Sequence, residues 1–201
     1  PTGNFGDVFA GYVAQRMGLP IDRLVVATNI NDILVRTFAT GSYEPKNVVP
    51  TTSPSMDIQV SSNFERLLFD ACGRDAATVR ALMNSLAQSG RFSVPDATLR
   101  AMRAHVSAGR AGEDEVAATI RTVLRETALC IDPHTAVAVA VAEKETRDPA
   151  IPMVVLSTAH AAKFPDAVAA ACGRRPGLPD WLGDLESRPE RITRLPADQG
   201  Q

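Results

Sequence analysis

The sequence predicts an α/β fold in which parallel-sheet strands are flanked by helices and carry a helical elaboration. Two apolar runs lead there. Arg23-Leu24-Val25-Val26-Ala27-Thr28-Asn29 and Pro152-Met153-Val154-Val155-Leu156-Ser157-Thr158 are short and closed by polar turns, the pattern of buried parallel strands. Around the first run the chain reads loop, helix, strand, helix, the order of a sheet built with crossovers. With 201 residues, 45% of them hydrophobic, the chain has apolar material for a sizeable core.

The elements follow in order. Val8, Phe9, Tyr12, Val13, Arg16 and Met17 show helical spacing, stopped by Gly18 and Pro20. After the first strand, Asn31-Asp32 caps a helix through Ile33, Leu34 and Phe38 that ends at Gly41. Tyr43 to Ile58 is a polar loop with three prolines, and Ser62 or Asn63 caps the helix that begins near Phe64. Residues 75–128 read as mostly helical, from Val79/Leu82/Met83/Leu86, Leu99/Met102/His105/Val106 and Val116/Ile120/Val123/Leu124, with a short extended joint at Phe92-Ser93-Val94 and a break at Gly109 to Gly112. Asp132-Pro133 starts a tightly packed helix of Ala and Val, Thr135 to Lys144. The second strand, at 152–157, precedes a helix from Phe164 to Cys172 stopped by Gly173, and a Pro-rich tail from Arg174 lies loosely on the surface. The expected division is therefore 1–60 with 129–173 as the sheet portion, 61–128 as the helical elaboration, and 174–201 as the tail. The chain opens inside a glycine-rich turn with no initiator Met, which reads as a fragment of a longer chain.

Composition narrows the function classes. Twenty-one basic residues against 23 acidic ones leave a net charge of −2, without the basic excess that non-specific nucleic-acid binding needs. Aromatics at 5% are too few for a base-stacking platform, and no apolar run reaches the roughly 20 residues of a membrane span. Cys72, Cys130 and Cys172 are odd in number and lack C-x-x-C spacing, which speaks against a zinc knuckle or a disulfide scaffold and for a reducing cytoplasm. The three histidines lack metal-ligand spacing, so no metal is expected.

Two places can carry chemistry. In Pro1-Thr2-Gly3-Asn4-Phe5-Gly6-Asp7, two glycines stand just before a helix, so successive backbone N–H groups can point into one concavity beside a favourable dipole. That is a phosphate cradle, or else a plain glycine turn with Asp7 as a cap. Ser157-Thr158-Ala159-His160 lies at the carboxyl end of the second apolar run, where ligands sit in open α/β sheets, or else is an ST-turn ending the strand. Arg66 is either an anion ligand or a partner of Glu65 or Asp70.

Six ordered motifs carry a resemblance: Pro1-Thr2-Gly3-Asn4-Phe5-Gly6-Asp7, Ala27-Thr28-Asn29-Ile30-Asn31-Asp32, Ser53-Pro54-Ser55-Met56-Asp57-Ile58, Ser61-Ser62-Asn63-Phe64-Glu65-Arg66, Asp132-Pro133-His134-Thr135-Ala136, and Ser157-Thr158-Ala159-His160-Ala161-Ala162-Lys163-Phe164-Pro165. From Pro1 to about Gly173 the sequence resembles the carboxyl-terminal half of the threonine synthases, fold-type-II pyridoxal-phosphate enzymes that convert O-phospho-L-homoserine and water to L-threonine and phosphate. The resemblance implies part of the large domain of that fold and pyridoxal 5′-phosphate as cofactor. It implies that Gly3, Asn4, Phe5, Gly6 and Asp7 hold the cofactor phosphate and that Thr158 lies at the pyridine nitrogen. It also places the Schiff-base lysine upstream, so no catalytic residue is expected in this chain. Ala161 stands where the family commonly has proline. A threonine dehydratase or cysteine synthase type lyase, or a non-catalytic phosphate-binding module, are the alternatives. The former typically lack the Ser-Asn-Phe-Glu-Arg and Asp-Pro-His-Thr segments.

Overall fold

The structure, a computed structural model, describes residues 1–146 and 148–197. Its elements in chain order are α1 (Gly6–Arg16), β1 (Leu24–Thr28), α2 (Ile33–Thr40), β2 (Ser42–Tyr43), α3 (Phe64–Ala71), α4 (Ala76–Ser89), β3 (Phe92–Ser93), α5 (Asp96–Arg103), β4 (Val106–Arg110), α6 (Glu113–Thr127), α7 (Pro133–Lys144) and α8 (Pro165–Cys172). β1 pairs in parallel with β4, with Leu24 opposite Val106 and Thr28 opposite Arg110. β2 and β3 form a two-residue antiparallel pair.

The alternation of side chains along β1 divides the interior into two cores. Leu24 and Val26 face the first, built with α1, α2, α3 and α5; Val25 and Ala27 face the second, built with α6, α7 and α8. Aromatic rings organise the first core: Phe64 meets Phe5 edge-on at 5.5 Å and stacks with Tyr43 at 5.4 Å, and Tyr43 stacks with Phe92 at 4.7 Å. Small side chains organise the second. The Ala and Val residues of α7 let that helix lie close on the sheet, and a Cβ on Gly109 would meet Val141 Cγ1 at 2.7 Å, so β4 needs glycine there.

Asp132 caps α7 as expected, its carboxylate accepting from the His134 and Thr135 N–H groups, with Pro133 in the first turn. Gly41 and Gly173 end α2 and α8 in the left-handed conformation.

Three expectations are corrected. Pro152–Thr158 is not a strand: it joins no strand ladder among the described residues, and Val154 is 77% exposed. The apolar run has strand character, but a strand needs a neighbouring ladder, and the parallel partner of β1 is β4 instead. β4 itself was hidden inside an expected helix, because Leu99, Met102, His105 and Val106 keep helical spacing across the junction. α5 stops at Arg103, and Val106 and Ala108 turn toward the first core as alternate residues of a strand. Asp32 precedes α2 but makes no side-chain cap; its carboxylate is taken by Arg36 at 2.9 Å and Arg110 at 2.7 Å.

Candidate functional site

The opening turn is tied to the carboxyl end of β1. Thr2 N–H donates to Ala27 O at 2.9 Å, and Thr2 Oγ1 accepts from Phe5 N–H at 2.9 Å. Phe5 takes a left-handed conformation, φ 67°, unusual for an aromatic residue and costing on the order of 1 kcal/mol. Its fully buried ring, wedged against Phe64, holds it there. Asn4 Oδ1 accepts from Gly6 N–H at 2.8 Å, and Asn4 O accepts from Asn63 N–H at 2.9 Å, so α3 braces the turn from the far side.

These bonds leave a particular set of donors. Among the described residues, the N–H groups of Gly3, Asn4, Asp7 and Val8 form no hydrogen bond. They flank a left-handed residue at the start of an eleven-residue helix, the arrangement that receives an anion. The donor set therefore fits a phosphate ester. The glycines themselves serve packing: neither Gly3 nor Gly6 has positive φ, and a Cβ on Gly3 would lie 3.0 Å from Met56 Cα and Ile58 Cγ1. On Gly6 it would lie 3.0 Å from Asn4 Oδ1.

The Met56 segment is pinned by a polar network at the end of β1. Asn29 Nδ2 reaches Asp57 Oδ1 at 2.8 Å, Thr51 Oγ1 at 2.9 Å and Ser53 Oγ at 3.0 Å, while Asn31 Nδ2 donates to Asp57 Oδ1 at 3.0 Å. Thr51 adds its hydroxyl and N–H to the same carboxylate at 2.7 and 2.8 Å. Asn29, Ser53 and Asp57 stand in the motifs above without a role, Asn31 stands there as a helix cap, and Thr51 lies outside those motifs. Asn, Thr and Asp recurring beside an apolar strand end was the available signal.

Thr158 is exposed, with its hydroxyl unbonded among the described residues. Ser157 is fixed by Thr135 Oγ1 at 3.2 Å, and Thr135 in turn bonds the Asp132 carboxylate. The N-terminus of α7 is thereby tied to the Ser157-Thr158 segment. His134, which the sequence places at an element boundary with a pocket role open to it, sits there buried. Its Nδ1 is 2.9 Å from Asp132 Oδ1, its ring lies 4.7 Å from Phe164, and its Nε2 has no partner among the described residues.

Burial alone would push the Asp132 carboxyl up, but bonds from His134 and Thr135 outweigh it and hold the group below its ordinary value. A depressed carboxylate stabilises the fold above its unfolded value, about 3.9, and that contribution is lost as pH falls through the folded one. The urea midpoint should accordingly drop more steeply below about pH 4 in the wild type than in Asp132→Asn. Parallel profiles for the two would contradict this.

Arg66 forms no ion pair with Glu65 or Asp70 among the described residues. Its guanidinium lies 4.3 Å from the Phe9 ring, while Asp70 is held by Arg74 at 2.9 Å and Tyr12 at 2.6 Å. It lines a cleft of about 590 Å³ between α1, α3 and α4.

Comparison with known proteins now bears on this geometry. A family model described as threonine synthase, C-terminal, matches residues 135–201. The threonine synthase of Pseudomonas aeruginosa is 47% identical over 197 residues, covering 98% of this chain and 42% of that protein. The crystal structure of threonine synthase from Brucella melitensis with pyridoxal phosphate bound superposes with a TM-score of 0.93 at 60% identity, over 97% of this chain and 42% of that one. That of yeast gives 0.86 at 37% identity, over 93% and 42%. The chain spans about two-fifths of the length of these relatives. Its fold is that of the fold-type-II pyridoxal-phosphate enzymes. Within that class the chain belongs to the threonine synthase family, as the counterpart of its carboxyl-terminal portion.

Proposed function

We propose that this chain is the cofactor-anchoring portion of an enzyme that converts O-phospho-L-homoserine and water to L-threonine and phosphate. The observation that carries the reading is the set of free N–H groups at Gly3, Asn4, Asp7 and Val8, braced from three sides at the end of β1. In this reading those groups bind the phosphate of pyridoxal 5′-phosphate, with Phe5 and Gly6 shaping the turn. When bound, the cofactor supplies an electron sink for proton removal from the amino-acid substrate. Thr158 offers the pyridine nitrogen a neutral hydroxyl, which orients the ring without imposing a charge. Ser157, held through Thr135 and Asp132, sets the position of Thr158.

In this reading none of the chain's lysines serves as the Schiff-base residue. Lys46 is exposed, Lys144 pairs with Glu115, and Lys163 lies over the Phe164 ring. That role falls to an amino-terminal portion, which in this reading is the chain's principal partner. The unpaired cysteines accord with a cytoplasmic location, and among the described residues no helix is long and apolar enough to cross a membrane.

The test joins this chain to the amino-terminal portion of a threonine synthase. The joined protein should release phosphate from O-phospho-L-homoserine, and the 201-residue chain alone should not. In the joined protein Thr158→Val should lower kcat about 10-fold, the worth of one hydrogen bond, with cofactor affinity little changed. A folded joined protein without phosphate release, or release by the chain alone, would contradict the reading.

A further inference from the structure

The cleft between α1, α3 and α4, about 590 Å³, falls within the roughly 300–1,000 Å³ of small-molecule sites. Its wall is mainly apolar, from Phe9, Val13 and Met17 on the α1 side, Phe69 on α3 and Val79 on α4. Val13 and Phe69 are each 39% exposed and Met17 is 83% exposed, so folding of the chain leaves this apolar patch in water. Four arginines, Arg16, Arg66, Arg74 and Arg80, stand on the same cleft. Arg74 is engaged by Asp70 at 2.9 Å, and Asp70 also accepts from the Tyr12 hydroxyl at 2.6 Å. The other three make no ion pair and no hydrogen bond among the described residues, and the Arg66 guanidinium rests on the Phe9 ring at 4.3 Å. Glu65 is the remaining acid of the lining. The cleft therefore carries an excess of positive charge in a chain whose net charge is −2.

We propose that this cleft binds an organic anion, a carboxylate or phosphate head on an apolar body. The unengaged guanidinium groups of Arg16, Arg66 and Arg80 receive the head, and the wall of Phe9, Val13, Phe69 and Val79 receives the body. Guanidinium forks match the paired oxygens of either head, and arginine stems add apolar surface beside it. A bare inorganic anion would leave the wall wet. A neutral apolar molecule would leave the three guanidinium groups to water. A ligand with both parts uses both features of the cleft. The residues of the opening turn, Gly3 to Val8, are not among those that line it, so this site fills independently of the phosphate cradle and stands whether or not the cofactor reading holds.

Decanoate and decyl phosphate, each below its micelle concentration, are titrated into the folded 201-residue chain. Equilibrium dialysis reads the affinity and backbone amide resonances read the place. Saturable binding is expected, with the largest shifts at Val13, Met17, Phe69 and Val79 and with the Gly3–Val8 amides unmoved. The tighter of the two anions identifies the head that the arginines suit. Decanol and decyltrimethylammonium, which carry the same chain without the negative charge, should bind about 10-fold more weakly or not at all. Arg80→Gln and Phe69→Ser, both at exposed positions, should each lower the affinity about 10-fold with circular dichroism unchanged. Joined to the amino-terminal portion of a threonine synthase, the chain should keep its affinity for the anion. Loss of binding on joining would make that portion the occupant of the cleft and overturn the inference. Amide shifts at these residues that follow protein concentration alone would make a second copy the occupant, with the same consequence. Equal binding of the cation, or no saturable binding at millimolar anion, would also overturn it.

Discussion

Replacing Asn29 with alanine should cost about 3 kcal/mol of stability, as expected when a buried polar network loses its central member. Asn29 is fully buried at the turn that closes β1. Its Oδ1 accepts from Asn31 N–H at 2.9 Å and from Asn31 Nδ2 at 3.1 Å, and its amide nitrogen reaches Thr51, Ser53 and Asp57. Alanine leaves the Asn31 N–H without an acceptor and takes one donor from the Asp57 carboxylate. The second consequence is local. Thr51 to Asp57 would no longer be held to the strand end, and Met56 would lose the seat that keeps it against Gly3. Urea unfolding should show the full loss, and limited proteolysis should cut within residues 45–58 at an enzyme concentration that spares the wild type. A loss below about 1 kcal/mol would mean that the network is decoration rather than a strut.

Gly3→Val should weaken phosphate binding about 100-fold while leaving most of the fold intact. A Cβ on Gly3 would come within 3.0 Å of Met56 Cα and Ile58 Cγ1, and valine adds two methyl groups to that conflict. The Met56 backbone is fixed by the Asn29 network, so the lighter turn must give way. Moving it displaces the N–H groups of Gly3 and Asn4 from those of Asp7 and Val8. Losing two charge-assisted hydrogen bonds of about 1.5 kcal/mol each corresponds to that factor. Inorganic phosphate or pyridoxal 5′-phosphate titrated into wild type and variant would measure it. Equal affinities would remove Gly3 from the site.

Much of this architecture could be read from the residues themselves. β1 was legible because a run of apolar residues ended at Thr28 and Asn29, and α7 because Asp132-Pro133 opened it. β4 was not, since Val106, Ser107, Ala108 and Gly109 include few strong strand formers and their spacing continued the periodicity of α5. The opening turn was recognised as a cluster of N–H donors, yet the reason for Gly3 lay in residues 56–58, and only the folded chain brings these together. His134 could be seen in the sequence as a histidine at an element boundary with a pocket role open to it, and its pairing with Asp132 two residues before is local. Its ring contact with Phe164 is a tertiary fact that no local pattern encodes.

The central claim is that the opening turn holds the phosphate of the cofactor, and backbone amide chemical shifts test it most directly. Isotope-labelled, folded protein is titrated with pyridoxal 5′-phosphate while the ¹H–¹⁵N resonances are followed. The account predicts the largest shifts at Gly3, Asn4, Asp7 and Val8, smaller ones at Ser157 and Thr158, and loss of the whole set in Gly3→Val. Saturable shifts confined to the cleft around Arg66, Arg74 and Arg80, with the Gly3–Val8 amides unmoved, would contradict it.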